Sequence, residues 1–230
     1  MEIAHFLFGI FGNITALFLF LAPIITFKRI IQNKGTEKFS GVPYVMTLLN
    51  CLLSAWYGLP FVSPNNLLVS TINGSGAAIE LIYVAIFLIY APKREKAKIF
   101  GIFSFVVLVF SIVALGMFCG FAASIFSIIM YASPLSIMRT VIKTKSVEFM
   151  PFFLSLSVFL CGTSWFVFGL LGRDPFVFVQ NGLGCGLGLA QLILYFIYRG
   201  NKATATVEPI DIELAETGLP KEDKDQSQSN

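Results

Sequence analysis

The sequence predicts an all-α integral membrane protein whose seven transmembrane helices form two parallel three-helix bundles joined by a linker helix. Of its 230 residues, 56% are hydrophobic and 13% are charged, whereas a soluble domain carries about 25% charged residues. The hydrophobic residues lie in runs long enough to cross a bilayer. A pattern of proline, glycine and asparagine also repeats once along the chain, which indicates an internal duplication.

The number of spans follows from the lengths of the apolar runs. Residues 99–138 contain no charged side chain, and as one helix they would be about twice as long as the hydrocarbon layer is thick. We therefore predict a turn at Gly116–Gly120, where two glycines lie close together. The seven predicted spans are 5–27, 43–61, 67–90, 99–116, 119–142, 151–172 and 176–198.

Basic residues alternate between the two sets of connecting loops. Nearly all Lys and Arg side chains follow the first, third, fifth and seventh spans, and the other loops contain one, Arg173. Cytosolic loops are enriched in Lys and Arg, so we predict an extracellular N-terminus and a cytosolic C-terminus, in the plasma membrane. Because these basic residues sit between apolar runs and not on one patch, we expect no nucleic-acid partner.

The repeat keeps five blocks in register at an offset of 108 to 111 residues. The paired residues are Pro23 and Pro134, Pro43 and Pro151, Gly58 and Gly169, Asn73 and Asn181, and Tyr90 and Tyr198. Three spans and a linker return the chain to its starting side, so the two halves have the same orientation, about an axis along the membrane normal.

Four units are expected from this repeat. Residues 1–91 form the first triple-helix repeat, 92–118 the linker helix, and 119–200 the second repeat. Residues 201–230 carry three lysines against seven acidic residues. They contain too little apolar surface to order themselves, and we expect a disordered cytosolic tail.

Polar residues that recur at one depth in both halves indicate a binding site. Asn73 and Asn181 lie inside their spans, where a buried amide needs hydrogen-bond partners. Counted along their helices, Ser54 and Trp165 reach nearly the same level. Amides donate to and accept from hydroxyl groups, and an indole can pack against the apolar C–H groups of a hydroxyl-rich ligand. We predict that these four residues bind the substrate, although helix-to-helix hydrogen bonding is the alternative for a single Asn.

Four prolines lie toward the predicted cytosolic side. Pro23 and Pro134 are near the ends of the first and fifth spans, and Pro43 and Pro151 begin the second and sixth. Proline removes a backbone hydrogen bond and allows a helix to bend. We interpret the four as hinges of a cytosolic gate; ordinary kinks and helix starts are the alternative.

A few further polar residues within or near the spans are candidates for function. Tyr57 and Asp174 lie near the outer ends of their spans and are candidates for an outer gate. Glu80 is the one acidic residue deep inside a span, and intramembrane acids are candidates for function. The four cysteines lie in apolar runs without metal-site spacing, so we expect small buried residues, no metal and no cofactor.

These residues make the chain resemble the SWEET family of sugar facilitators over residues 3–200. The resemblance rests on five segments, which are Leu21–Phe27, Phe39–Tyr44, Thr71–Gly74, Ala132–Arg139 and Ser146–Phe152. It is strongest to plant hexose-type members. It implies two triple-helix bundles around a central path and bidirectional, facilitated transport of a monosaccharide such as glucose by alternating access, with no enzymatic reaction.

The resemblance also implies specific roles and partners. Sugar contacts fall on Asn73, Asn181, Ser54 and Trp165, and gating on the four prolines; assembly with like or related subunits is a further expectation. Two features depart from the family pattern: Gln180 stands where proline is usual, and the link between the fourth and fifth spans is shorter, which predicts a short fourth span.

Two other functions share some of these features. A seven-helix receptor has the same number of spans and the same orientation, but nothing in its architecture requires a three-plus-three repeat. A proton-coupled transporter of another small solute would use Glu80 as its proton carrier, and its uptake would depend on a pH gradient. The repeat and the paired asparagines favour a sugar uniporter.

Overall fold

A computed structural model describes residues 2–37, 39–115 and 118–200. Within these ranges the chain forms helices and no strand. The helices are α1 (Glu2–Leu21), α2 (Ile24–Asn33), α3 (Val42–Tyr57), α4 (Leu67–Tyr90), α5 (Lys93–Leu115), α6 (Cys119–Met130), α7 (Ala132–Thr144), α8 (Phe152–Leu171) and α9 (Pro175–Tyr198). Part of the turn predicted at Gly116–Gly120, and the predicted tail 201–230, lie outside the described residues.

The helices make seven crossings, because α1 with α2 and α6 with α7 each form one span. Six segments are long and apolar enough to cross a membrane. The seventh, α3, is an apolar helix of 16 residues. The predicted all-helical membrane fold with seven spans is confirmed.

Three of the predicted spans begin or end at the wrong residue. The fourth span is not short: α5 begins at Lys93, and its 23 residues include exposed charged side chains that prolong the helix beyond the apolar run. The first span continues beyond residue 27 as α2, which ends at Asn33. The second ends at Tyr57, because Pro60 lies just beyond and cannot continue the helix.

Kinks divide the first and fifth spans at corresponding places. Pro23 separates α1 from α2, and α6 gives way to α7 at Tyr131, three residues before Pro134. A proline has no N–H to donate to the preceding turn. At the first kink the Tyr83 hydroxyl donates to the Phe20 carbonyl oxygen at 3.0 Å, which ties the bend to α4.

The duplication extends to unusual backbone conformations. Lys34 and Lys145, 111 residues apart, have left-handed φ angles of 50° and 56° where α2 and α7 end. Asn65 and Arg173, 108 residues apart, have φ angles of 70° and 54° just before α4 and α9. Residues other than glycine rarely adopt positive φ. The two halves therefore use the same local turns at equivalent points.

An ion pair joins α2 to the loop that follows it. The Arg29 guanidinium contacts the Glu37 carboxylate at 2.5 Å, and the Asn33 amide donates to the same carboxylate. These hydrogen bonds hold the pKa of Glu37 below its usual range. Both side chains are solvent-exposed, so the pair orients the loop and contributes little to stability.

Within each half, the third span packs between the other two. In the first half α4 contacts α1 and α3, and in the second α9 contacts α6 and α8. Contacts of α1 with α8 and of α3 with α6 join the halves. The segments beyond the kinks stay within their own halves, since α2 packs on α4 and α7 packs on α9. The linker helix α5 packs mainly against α3.

Glycines allow the closest approach inside each half. A Cβ at Gly58 would lie 2.5 Å from the Ser70 amide nitrogen, and one at Gly169 would lie 2.5 Å from the Phe178 amide nitrogen. Both neighbours are backbone atoms, which cannot rotate away as a side chain would. The pairs are symmetry-related, so both bundles depend on this contact between consecutive spans.

Gly169→Ala is expected to destabilise the second bundle. An added methyl group in a tightly packed contact costs about 1–3 kcal/mol, which lowers the melting temperature of purified protein by roughly 2–10 °C. Gly101→Ala in α5 is the matched control, because a Cβ there meets nothing within 4 Å. Equal melting temperatures for the two variants would contradict the packing described.

Candidate functional site

A cavity of about 260 Å³ lies between the two halves. Its lining comes from α1, α3 and α4 of the first half and α6, α8 and α9 of the second. Tyr131 belongs to the lining at the kink between α6 and α7. The lining residues are Ala16, Leu19, Phe20, Asn50, Ser54, Val69, Ile72, Asn73, Ser127, Met130, Tyr131, Cys161, Trp165, Val177, Gln180 and Asn181.

All sixteen lining residues fall into eight pairs at the offsets of the sequence repeat. The pairs are Ala16 and Ser127, Leu19 and Met130, Phe20 and Tyr131, Asn50 and Cys161, Ser54 and Trp165, Val69 and Val177, Ile72 and Gln180, and Asn73 and Asn181. Each residue of one half thus has its counterpart in the lining. The cavity therefore lies on the axis that relates the two halves.

The structure brings together the four residues predicted to bind the substrate. Asn73, Asn181, Ser54 and Trp165 all line the cavity. Ser54 and Trp165 are 7% and 6% exposed, whereas both asparagines are half-buried. A ligand filling the cavity would touch residues of both halves.

The two asparagines are held in the same way. The Asn73 amide nitrogen donates to the Val69 carbonyl oxygen at 2.9 Å, and that of Asn181 donates to the Val177 carbonyl oxygen at 2.8 Å. Each Nδ2 uses one of its two N–H groups in this bond to the preceding turn, so the second N–H remains to donate and Oδ1 remains to accept a hydrogen bond. The pair presents two carbonyl acceptors suited to hydroxyl groups.

Trp165 gives the cavity an aromatic surface. Its indole packs edge-on against Phe168 at 5.1 Å between ring centroids. A Cβ at Gly12 would lie 2.9 Å from the indole nitrogen, so glycine at this position of α1 lets the ring lie against the helix. The ring is fixed from two sides.

The lining of the cavity also contains polar residues that the sequence analysis did not predict to bind the substrate. The Ser127 hydroxyl donates to Asn50 Oδ1 at 3.0 Å and so joins α6 to α3. Tyr131 and Gln180 add a hydroxyl and a carboxamide. Asn50 precedes Ser54 by one helical turn and Gln180 precedes Asn181, so proximity to a predicted residue was the available signal.

The expected burial of the cysteines holds for two of the four. Cys51 and Cys119 are buried, whereas Cys161 and Cys185 are partly exposed. Cys161 lines the cavity one helical turn before Trp165. Cys161 is partly exposed because its side of α8 borders the cavity, although it also packs against the buried cluster that contains Ala16 of α1 and Ile72 of α4.

Tyr57 and Asp174 form a direct link between the halves. The Tyr57 hydroxyl donates to Asp174 Oδ2 at 2.7 Å, and the Asn66 amide donates to the same oxygen. Asp174 Oδ1 accepts from the amide nitrogens of Phe176 and Val177 at 3.0 and 3.2 Å, which caps α9. One buried carboxylate thus joins α3, the α4 start and the α9 start.

A second cavity, of about 210 Å³, lies at this end of the molecule. Tyr57, Asn66 and Asp174 contribute to its lining together with His5. The His5 ring stacks on Phe168 at 3.8 Å between centroids. The Tyr57–Asp174 bond therefore lies beside a second pocket, which has its own lining.

The four prolines occupy two kinds of position. Pro23 stands at the first kink, and Pro134 lies in the first turn of α7, next to the second kink. Pro43 lies in the first turn of α3, and Pro151 caps the start of α8. None of them lines either of the two cavities described above.

Glu80 lies inside α4 and is 3% exposed. Its Oε2 atom is buried and has no hydrogen-bond partner among the described residues. Glu80 does not contribute to the lining of the central cavity. The one acid deep in a span is therefore set apart from the paired asparagines.

Comparisons with known proteins agree with this architecture. A family model described as "Sugar efflux transporter for intercellular exchange" matches residues 6–95 and 117–203. The chain is 72% identical over 219 residues to the bidirectional sugar transporter SWEET1 of Arabidopsis thaliana, covering 90% of this chain and 89% of that protein. It is 66% identical over 216 residues to SWEET1a of Sorghum bicolor, covering 89% and 80%.

The fold is likewise similar to that of a solved structure. A eukaryotic SWEET transporter determined at 3.7 Å superposes with a TM-score of 0.84 and is 46% identical. The match covers 87% of this chain and 99% of that one. The two segments matched by the family model correspond to the two halves around the cavity.

Tyr57→Phe is expected to weaken the link between the halves and to expose the cavity from the Tyr57 side. A hydrogen bond to a charged group contributes about 1.5–3 kcal/mol, so labelling of Cys161 should accelerate about tenfold or more. The measurement applies a membrane-impermeant thiol reagent on that side to a chain whose other three cysteines are alanine. Tyr195→Phe, which keeps the ring contact with Phe152, is the control; equal labelling rates would refute the link.

Proposed function

We propose that this chain, which belongs to the SWEET family of bidirectional sugar transporters, carries a monosaccharide such as glucose through its central cavity by alternating access. Membership of the family makes it a membrane transporter and not an enzyme. The observation that supports the central site is the set of eight symmetry-related residue pairs, with Asn73 and Asn181 among them. A ligand on the axis contacts both halves and so responds to their relative movement.

The chemistry of the lining suits a single sugar ring. Asn73 and Asn181 offer acceptors to hydroxyl groups, and Ser54 adds a hydroxyl that donates or accepts. Trp165 offers an apolar face for ring C–H groups. Since small-molecule sites combine a mostly apolar surface with a few placed polar groups, these four residues together favour a compact, neutral, hydroxyl-rich solute.

Opposite ends of the molecule support a two-gate mechanism. Tyr57 and Asp174 join the halves at one end, and we assign them to the outer gate. At the other end α2 and α7 pack within their own halves. Pro23, Pro43, Pro134 and Pro151 are the hinges of this cytosolic gate, because each begins a helix segment or interrupts one.

The surroundings of the transporter follow from its charge pattern and family. We propose an extracellular N-terminus, a cytosolic C-terminus and residence in the plasma membrane, since basic residues favour the cytosolic loops. The moving bodies are residues 1–91 and 119–200, with 92–118 as the linker. Homo- or hetero-oligomers with related subunits are the expected assembly.

Glu80 provides the reason to consider proton coupling as a second function. Glu80 is a buried acid whose Oε2 has no hydrogen-bond partner among the described residues, and an ionisable residue inside a span is a candidate proton carrier. Its absence from the lining of the cavity favours uniport, because a coupled proton must affect the substrate site. The seven-helix receptor is disfavoured by the family to which the chain belongs.

Asn73→Ala and Asn181→Ala are each expected to reduce glucose uptake about tenfold or more. Each removes an acceptor and leaves a bound hydroxyl group without its partner, which costs more than the loss of one exposed hydrogen bond. Radiolabelled glucose uptake in transport-deficient cells gives the measurement, corrected for surface expression. Asn13→Ala is the control, because Asn13 bonds to Thr71 in a span but does not line the cavity. Wild-type uptake by both site variants would defeat the site assignment.

Collapse of the pH gradient by a protonophore is expected to leave initial glucose uptake unchanged. In a uniporter the sugar gradient alone drives net movement, so removal of the pH gradient should change neither influx nor efflux. Proteoliposomes with set internal and external pH test this directly. A severalfold fall in wild-type uptake when the pH gradient is removed would instead favour proton coupling, if uptake by Glu80→Gln does not respond to the pH gradient.

A further inference from the structure

The Gln180 side chain has a feature that no other residue lining the central cavity shares. Its Oε1 atom is shielded from solvent and accepts no hydrogen bond from the described residues, although the residue lines the cavity. A buried amide oxygen without a donor is unfavourable, because it has lost its hydrogen bonds to water and gained none in the protein. Native proteins rarely leave such a group unsatisfied without a functional reason.

The backbone around Gln180 is held firmly. The Tyr131 hydroxyl donates to the Gln180 carbonyl oxygen at 2.6 Å, which ties α9 to the kink between α6 and α7. The next residue, Asn181, bonds back to Val177 at 2.8 Å. The main chain is therefore fixed on both sides of a side chain whose amide is unsatisfied.

The amide also breaks the symmetry of the site. The counterpart of Gln180 in the first half is Ile72, so a carboxamide faces an alkyl group across the axis. The paired asparagines contribute equally from both halves and cannot by themselves orient a ligand about the axis. A group present on one side only can do so.

We propose that the carboxamide of Gln180 contacts the transported sugar, with its oxygen accepting a hydrogen bond from one hydroxyl group, and so determines which hydroxyl pattern the chain prefers. This inference rests on the proposed function, because the ligand must be a sugar in the central cavity. A half turn of the terminal amide, a soft torsion, exchanges Oε1 and Nε2 and so turns the oxygen from its shielded position toward the ligand. One hydroxyl group then has a partner that its neighbours on the ring lack.

Gln191 offers a matched comparison on the same helix. Its Oε1 is also buried and has no partner among the described residues, and its side chain is 6% exposed. It does not contribute to the lining of the central cavity. An unsatisfied amide in α9 is thus common to both glutamines, and contact with the cavity distinguishes Gln180.

The test compares glucose with its 2-, 3-, 4- and 6-deoxy analogues on the purified full-length protein. Each analogue competes with radiolabelled glucose for the wild type, Gln180→Met and Gln191→Met; methionine matches the length of glutamine without its amide. We expect Gln180→Met to weaken glucose binding about 3- to 10-fold, the effect of one neutral hydrogen bond. Gln180→Met should bind one of the deoxy analogues with the affinity of the wild type. For that analogue alone, the variant should no longer distinguish glucose from its deoxy form. Gln191→Met should keep the wild-type pattern.

Distinct results would overturn the inference. An equal loss for glucose and all four analogues in Gln180→Met would indicate a packing effect, and an unchanged pattern would exclude the contact. Gln180→Leu provides a second variant if Gln180→Met does not purify as a monodisperse protein. Wild-type protein that neither binds nor transports glucose would refute the proposed function itself, whereas glucose binding with the same pattern in all variants would refute only the role of Gln180.

Discussion

The central cavity depends on how the two halves meet around their common axis. Contacts of α1 with α8 and of α3 with α6 hold the halves together, and the cavity remains between them. Glycines make the supporting bundles compact, since Gly58 and Gly169 each bring two consecutive spans into backbone contact. Because a bilayer offers no water to unsatisfied backbone groups, the helices must stay intact while the interface between the halves changes.

The duplication produces two similar bundles, and the residues that differ between them give the cavity lining its polar and apolar sides. Eight residue pairs line the cavity, but few of them are identical. Ser54 occupies the position in the first half that Trp165 occupies in the second. Ile72 likewise occupies the position equivalent to that of Gln180. A sugar has a hydroxyl edge and an apolar face, so a lining with one polar and one apolar member in several pairs matches such a ligand better than a strictly symmetric lining would.

The two ends of the transport path use different physical devices. At one end a single carboxylate, Asp174, accepts hydrogen bonds from Tyr57 and Asn66 and caps α9 at the same time. At the other end the prolines interrupt or begin helices. A closed contact made of few directional bonds opens readily, and helix interruptions allow segments to bend without breaking the rest of a span. These differences suit gates that open in turn.

The sequence by itself determined the number of spans and the duplication, because apolar length and paired Pro, Gly and Asn residues are local properties of the chain. The loop charges predict the direction of the spans. It also led to Asn73, Asn181, Ser54 and Trp165, since each occupies the depth of a repeated residue. Tertiary structure alone decided which helix faces turn toward the axis. Asn50, Ser127 and Gln180 have apolar or dissimilar counterparts, so the repeat did not single them out, and only the rotation of packed helices brought them into the lining. The same packing placed Cys161 in the cavity and left Glu80 outside it, because helix rotation in a bundle is set by contacts between spans and not by hydrophobicity along one of them.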